Sequence, residues 1–460
     1  MRKDIRIVAE EASRQILEAP LYTAGIALYR FGVRVAGLRN IKARKLDRGQ
    51  RDIWTQLGDH ISPDDRVIWV HAASLGEFEQ GRPLIEKIRK ERPGYKILLT
   101  FFSPSGYEVR KNYAGADCVC YLPFDTPGRV RKFIDMAHPE IAIFVKYEIW
   151  RNYLHELYAR GIPSYLISAA FRPDQYFFKH PGSWYGLWFR WYSHIYVQDE
   201  RSRNLLAGIH IHNVDVCGDT RFDRVSEIRA SRKEIPELQA FTRHGEKEAP
   251  PVMMAGSSWG ADEDVYGAWF DSHPDVKLVI APHEFDDRRL EALKNRFANG
   301  VVLLSEIRAG KAKADSEAQV LVIDCFGMLS SAYAYCDVAY VGGGFGAGLH
   351  NINEAAVYDV PVIYGPNNHK FIEAREMAEC GGGIPVNSRQ KFETVADRLM
   401  RSDSSERETR GKAAGEYIRS KLGATDRIFT SIFGERQATG PEEQPLPVSR
   451  KKSIGRETQS

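Results

Sequence analysis

The chain has 460 residues, 43% of them hydrophobic and 27% charged. That length suits two or three domains, and that composition excludes a mainly disordered chain. Lys+Arg 64 against Asp+Glu 61 leaves +3, too little to make nucleic acid the main partner.

Residues 1–20 mix acids and bases and lack the apolar centre of a secretory signal. Leu21–Leu38, LYTAGIALYRFGVRVAGL, is apolar except for Arg30 and Arg34, one helical turn apart. It is too short and too charged to span a bilayer. It predicts a helix lying in a membrane interface, with Tyr22, Tyr29 and Phe31 near the headgroups. A basic run follows, Arg39, Lys42, Arg44, Lys45, Arg48 and Arg51, suited to anionic lipid on a cytoplasmic leaflet. An ordinary amphipathic helix packed on its own domain is the competing reading.

Short β-branched runs then alternate with amphipathic segments. The runs are Val67–Val70, Ile97–Phe102, Val119–Pro123, Ile141–Tyr147, Tyr165–Ile167, Ile195–Val197 and Val214–Cys217. This pattern predicts β-α repeats around a buried parallel sheet. Residues 219–251 are charged, end in Pro250–Pro251, and read as helices plus a linker. A second series follows: Val252–Ala255, Val276–Ile280, Val301–Leu304, Val320–Ile323, Val338–Val341 and Val360–Tyr364. Helical segments close the fold near Phe433, and a Pro- and charge-rich tail is expected to be disordered. The expected units are a membrane-associated helix and basic segment (1–45), a first Rossmann-like domain (46–225), a linker (226–251), a second Rossmann-like domain (252–433) and the tail (434–460). The fold class is therefore α/β, two doubly wound domains facing across a cleft, with ligands beyond the carboxyl ends of the strands.

Four motifs fall near such strand ends. His71-Ala72-Ala73-Ser74-Leu75-Gly76-Glu77 follows the first run. Ser74 and Glu77 have the spacing of a capping box, and Glu77 is equally a candidate general base at the mouth of the cleft. Lys146-Tyr147-Glu148-Ile149-Trp150 places Lys146 and Glu148 on one side if the strand continues. Such a pair is either structural or steadies charge in a transition state. Gly342-Gly343-Gly344-Phe345-Gly346, with His350, Asn351 and Glu354 beyond it, predicts backbone amides and a helix amino end facing an anion. Phe171–Tyr192 is dense in aromatic rings and reads either as core or as a surface for lipid. The six cysteines contain no C-x-x-C pair and read as thiols in a reducing compartment. His210 and His212 alternate without a third ligand, so no metal site is expected.

Taken in order, A-S-L-G-E, K-Y-E-I-W-R-N, G-D-T-R-F-D, A-G-S-S-W, the Gly327–Met328 turn, G-G-G-F…H-N-I-N-E and V-I-Y-G-P-N-N-H-K-F closely resemble the bacterial 3-deoxy-D-manno-octulosonic acid (Kdo) transferases of lipopolysaccharide assembly. The resemblance runs from about Leu21 to about Phe433. It implies a GT-B glycosyltransferase. Such an enzyme transfers Kdo from CMP-Kdo to a lipid A precursor, with inversion, at the cytoplasmic face of the inner membrane. That acceptor is an acylated, phosphorylated disaccharide. The family's base carries over to Glu77, and its transition-state groups to Glu148 and Arg221. Donor contacts carry over to Pro282 and His283, to Gly327, Met328 and Leu329, and to Asn351, Ile352, Asn353 and Glu354. No cofactor or metal is implied, and no Asp-x-Asp cluster is placed for a divalent ion on a diphosphate. The partners implied are CMP-Kdo, the lipid A precursor and inner-membrane lipid.

Some positions depart from the family pattern. Pro282-His283-Glu284-Phe285 lacks the usual arginine, and Lys146-Tyr147-Glu148 stands where Glu-Thr-Glu is usual. Asn351-Ile352-Asn353-Glu354 stands where relatives have Asn-Pro-Leu-Glu, and Arg221 replaces a lysine. The alternatives are another GT-B sugar-nucleotide enzyme, such as a UDP-sugar transferase or epimerase, and a non-catalytic nucleotide-binding membrane protein.

Overall fold

The computed structural model describes residues 2–179, 184–315, 317–346 and 348–434, with side chains from residue 19 onward except at 184. The tail expected over 434–460 lies outside the described residues apart from Gly434.

The first sheet contains β1 (Val67–His71), β2 (Lys96–Phe101), β3 (Cys118–Tyr121), β4 (Pro139–Val145), β5 (Ser164–Ala169), β6 (His194–Val197) and β7 (Val214–Val216). Its order is β3-β2-β1-β4-β5-β6-β7. All its pairs are parallel. The second sheet contains β8 (Val252–Ser258), β9 (Lys277–Pro282), β10 (Val301–Leu303), β11 (Val320–Val322), β12 (Val338–Val341), β13 (Val362–Tyr364) and β14 (Gly383–Pro385), ordered β10-β11-β9-β8-β12-β13-β14. It too is parallel throughout. Helices cover both faces of each sheet, so the strands are apolar on both sides. Ile68, Trp69, Ile97, Leu98, Ile143 and Phe144 are all fully buried. Each such side chain contributes about 1.5–3 kcal/mol.

In each sheet the chain runs outward in both directions from one central pair, β1/β4 and β8/β12. The loops that leave these two pairs part to opposite faces and open a crevice at the carboxyl ends. Three of the sequence motifs leave β1, β4 and β12, so sheet topology brings them to the two crevices.

The amino terminus forms α1 (Arg2–Ala36) and α2 (Ile41–His60). One face of α1 packs inward. Val33 is buried, the Tyr22 hydroxyl donates to Asp125 Oδ2 at 2.7 Å, and the Tyr22 ring meets Trp188 edge-on at 5.1 Å. Another face keeps Leu21, Leu28, Phe31 and Val35 at 50–71% exposure. Among the described residues no helix is long and apolar enough to cross a membrane.

The aromatic segment belongs to the first-lobe core. Phe171, Trp188, Phe189 and Tyr192 are buried, and Phe171 contacts Phe177, Phe178 and Phe189. Tyr176 remains exposed; residues 180–183 lie outside the described residues. The last helix, Ala424–Phe433, follows the second lobe in sequence but returns to the first, where Ile428 and Phe429 join the core beside Phe78 and Ile88. Conversely, helices Thr220–Ala230 and Pro236–Thr242 place Phe222, Val225 and Leu238 in the second-lobe core. The chain therefore crosses between lobes twice. Asp223 clamps the second crossing by accepting from Gly423 N at 2.6 Å and Thr425 N at 2.7 Å.

Candidate active site

In the first lobe, β1 ends at His71 and a short turn leads into α3 (Leu75–Glu91). Ser74 is its N-cap, and Ser74 N donates to Glu77 Oε2 at 3.0 Å. The capping half of the sequence reading is therefore present. Glu77 nevertheless stands in a field of titratable groups. Burial and the nearby Glu148 carboxylate push its carboxyl above the usual range, against His71, Lys146 and the Ser74 amide. A carboxyl perturbed in this way suits proton transfer near neutral pH.

Glu148 comes from the loop after β4. It is 8% exposed. Its Oε2 faces His71 Nε2 at 3.1 Å and also accepts from Trp150 Nε1, so Nε2 carries the proton in that contact. His71 Nδ1 lies 2.9 Å from Thr100 Oγ1. Glu148 is thereby held between two rings, while the Tyr192 hydroxyl donates to its backbone carbonyl.

The strand on which a common side for Lys146 and Glu148 depended does not continue that far. β4 stops at Val145, and Lys146 takes φ 76°, a left-handed conformation costly for a side-chain-bearing residue. That turn breaks the two-residue alternation and gives the two side chains different neighbours. Burial and the Arg221 guanidinium pull the Lys146 ammonium below its usual range, against Glu77, Asp219 and Glu373.

Arg221 sits in the first turn of helix Thr220–Ala230. Its guanidinium binds Asp219 Oδ2 at 2.7 Å and Glu373 Oε1 at 3.2 Å. Burial opposes its charge, but the two carboxylates outweigh that and hold it above the ordinary arginine range. Arg221 is thus paired on both sides, and Asp219 in turn accepts from Gln80 of the first lobe. Lys146 is the cation left beside Glu77.

In the second lobe, the Gly-rich turn after β12 differs from the expectation. Gly343 N donates to Asp262 Oδ2 at 2.9 Å, so this amide already serves a carboxylate of the protein. A Cβ on Gly344 would lie 2.6 Å from the Gly365 backbone, so this glycine permits close approach of two chain segments. The helix expected near Asn351 is a single turn, Asn353–Ala356. Some of the residues expected to contact the donor are hydrogen-bonded together. Asn351 Nδ2 donates to Glu354 Oε1 at 3.0 Å, and Ser330, next to Leu329, bonds the same carboxyl. Burial raises the Glu354 carboxyl against those two bonds. Gly327 takes φ 79° and turns the chain into Met328 and Leu329. The Asn353 side-chain amide is buried with no hydrogen-bond partner among the described residues, and Ile352 is core.

Pro282 ends β9 and delivers His283 into a ring stack. His283 lies 4.7 Å from Trp259 and 4.3 Å from His350, and Trp259 Nε1 donates to His350 Nε2 at 3.1 Å. Burial, with His283 beside it, pushes His350 down to about 4. Neutral His350 accepts through Nε2. Phe285 stacks on Phe326 at 4.7 Å and joins this loop to the Gly327 turn.

The two halves face each other. Glu354 feels Glu79 of α3 and Arg224, while Lys146 feels Glu373. Glu77, Glu148 and, through Lys146, Arg221 thus belong to one electrostatic cluster, while His283, Gly327–Leu329 and Asn351–Glu354 lie on the second lobe. Sequence reasoning missed Asp219 and Glu373, which hold Arg221. Asp219 stood inside the quoted G-D-T-R-F-D run, but Glu373 carried no local signal. Among the described residues no group of three His, Cys, Asp or Glu could hold a metal ion.

Two doubly wound lobes with a cross-lobe site define a GT-B architecture. A UDP-GlcNAc 2-epimerase from Neisseria meningitidis, solved bound to UDP-GlcNAc, superposes with TM-score 0.53 at 14% identity, over 80% of this chain and 99% of that one, a likeness of fold. Residues 46–224 match the family model described as 3-deoxy-D-manno-octulosonic-acid transferase (kdotransferase). The 3-deoxy-D-manno-octulosonic acid transferase of Haemophilus influenzae is 27% identical over 85% of this chain and 92% of its own length. That of Aquifex aeolicus is 26% identical over 73% and 86%. Over most of its length the chain is thus similar to transferases of this family.

Proposed function

We propose that this protein transfers Kdo from CMP-Kdo to a lipid A precursor, with inversion and release of CMP. The relatives carry the name of that transferase. The observation that carries the mechanism is a carboxyl raised by burial and Glu148, set at the strand end that faces the second lobe. In this reading Glu77 takes the proton of an acceptor hydroxyl as its oxygen bonds to the anomeric carbon. The bond from that carbon to the CMP phosphate breaks, and CMP leaves with the electron pair. One base suffices for direct displacement, unlike the two carboxylates of a retaining hydrolase. Glu148, held by His71 and Trp150, keeps the Glu77 carboxyl raised. Lys146 offsets negative charge on the keto-acid donor, and Arg221 keeps the lobes in register.

His283, Gly327–Leu329 and Asn351–Glu354 take the nucleotide, with Glu354 on the ribose diol. The exposed apolar face of α1 seats the protein on the cytoplasmic side of the inner membrane, where the acceptor lies. The test is CMP release by the purified full-length chain. CMP should appear from CMP-Kdo only when lipid A precursor is present. Consumption of UDP-sugars instead, or release independent of acceptor, would overturn the reading.

A further inference from the structure

We infer that the groove between α1 and α2 binds a phosphate monoester of the acceptor lipid. The identity of the carrier rests on the Kdo-transfer reading; the anion rests on the groove itself. The groove encloses about 430 Å³, with Arg30 and Arg34 from α1, Arg51 and Trp54 from α2, and Thr126 and Arg129 at the start of helix Pro127–Ala137 in its wall. Asp47 is the one carboxylate lining it, and Arg51 engages it at 2.6 Å. Arg30, Arg34 and Arg129 have no carboxylate within ion-pair distance among the described residues.

These cations are placed against their own preferences. Arg30 and Arg34 stand one turn apart on α1, where like charges repel. Burial and Arg30 both pull Arg129 below the usual arginine range. Arg129 Nη2 finds only the neutral oxygens of Gln50, at 3.0 and 3.1 Å, and its Nε has no partner. Arg129 also occupies the first turn of its helix, where the backbone dipole disfavours a cation. Thr126 precedes that turn without capping it through its side chain. A dianion in the groove would offset the repulsion among these cations and supply partners to Arg129 and the helix start together. Three guanidinia without a carboxylate partner and a helix amino end match the double charge of a monoester better than the single charge of a phosphodiester.

Position names the carrier. Phe31 lines the groove and is 64% exposed, and on the same helix Leu28 is 71% exposed, where acyl chains would lie. From its floor a wall of rings leads to the reaction centre. Phe124 meets Phe102 at 6.2 Å, Phe102 meets Trp150 at 4.8 Å, and Trp150 donates to Glu148. These ring contacts join the groove to the residues around Glu148 and Glu77.

The test uses the full-length protein, acceptor with and without its phosphate monoesters, and the variants Arg30→Gln/Arg34→Gln and Arg129→Gln. With phosphorylated acceptor, KM should rise ~10-fold or more while kcat and the CMP-Kdo KM hold. With dephosphorylated acceptor, wild type and variants should be equally poor. Calorimetric titration of acceptor in detergent should show the same loss of affinity. If the variants keep acceptor KM but lose binding to phosphatidylglycerol vesicles, the groove serves bulk headgroups and the assignment falls. Unchanged KM and vesicle binding would also overturn it. If wild type transfers no Kdo but phosphate-dependent acceptor binding is lost in the variants, the anion site stands and the transfer reading fails.

Discussion

Glu77→Gln isolates the base from the cap. Gln has the shape of Glu and keeps a carbonyl oxygen for the 3.0 Å bond from Ser74 N. It is also an accepted third residue of this cap, so the start of α3 should persist. What disappears is a proton acceptor, worth ~10²–10⁴ in rate, or about 2.7–5.5 kcal/mol of barrier. Turnover of CMP-Kdo with lipid acceptor should fall by that factor, with donor KM changed by about twofold or less. The pH profile adds a sign. Burial and Glu148 raise the carboxyl, so the base form is lost at a higher pH than for an ordinary carboxylate. The acid limb of kcat/KM should lie above the usual Glu range in the wild type and vanish in the variant. Stability follows from linkage. A raised folded-state carboxyl contributes stability that is complete below its unfolded value and lost as pH rises through its folded value. At neutral pH the carboxylate therefore weakens the fold, and the Gln variant should melt at or above the wild-type temperature, the gap closing in acid. Two results would refute this reasoning. Turnover within about tenfold of wild type with the acid limb intact would remove Glu77 from the base role. Lost activity with a lowered melting temperature would mean that the cap, and not the base, was destroyed.

A Cβ on Gly76 meets nothing within 4 Å. Gly76→Ala should therefore stabilise the helical turn by about 0.5–1 kcal/mol, seen in denaturant melts, while raising acceptor KM, because the missing side chain leaves room for ligand; an unchanged KM would show the space is unused. Arg221→Met strands Asp219, whose side chain is 4% exposed, and cuts the bridge to Glu373. It should cost about 3 kcal/mol by denaturant melts and lower kcat, and full stability would show that the bridge contributes little. The pair Leu28→Glu and Phe31→Glu should reduce co-sedimentation with anionic vesicles without changing the melting temperature, since both side chains are exposed. In an NMR titration His350 should stay neutral down to about pH 4. Its protonation below that pH removes the acceptor for Trp259 and sets a charge against His283, so stability from this group is present at neutral pH and lost in acid; a midpoint near the ordinary histidine value would contradict the stacked geometry.

Much of the fold was legible because buried parallel strands are runs of apolar, β-branched residues. β14 was not, because Gly383-Ile384-Pro385 is a strand only by pairing with β13. The cap at Ser74 and Glu77 was legible because its partners are three residues apart. The left-handed turn at Lys146 was not, since nothing in its neighbours forbids the strand from continuing. Glu373 had no signal at all, because its partner Arg221 is 152 residues away in sequence and meets it only in the folded chain.

Sequence alone determined the two β-α series, the motifs that end their strands and the apolar face of α1. These depend on interactions within a few residues or on solvent. Tertiary structure alone decided that Glu77 shares its field with Glu148 and Lys146, that Arg221 is bound on both sides, that Asp262 fills the Gly343 amide, and that the last helix returns to the first lobe. Charges act through space, and only the folded path of the chain sets which of them become neighbours.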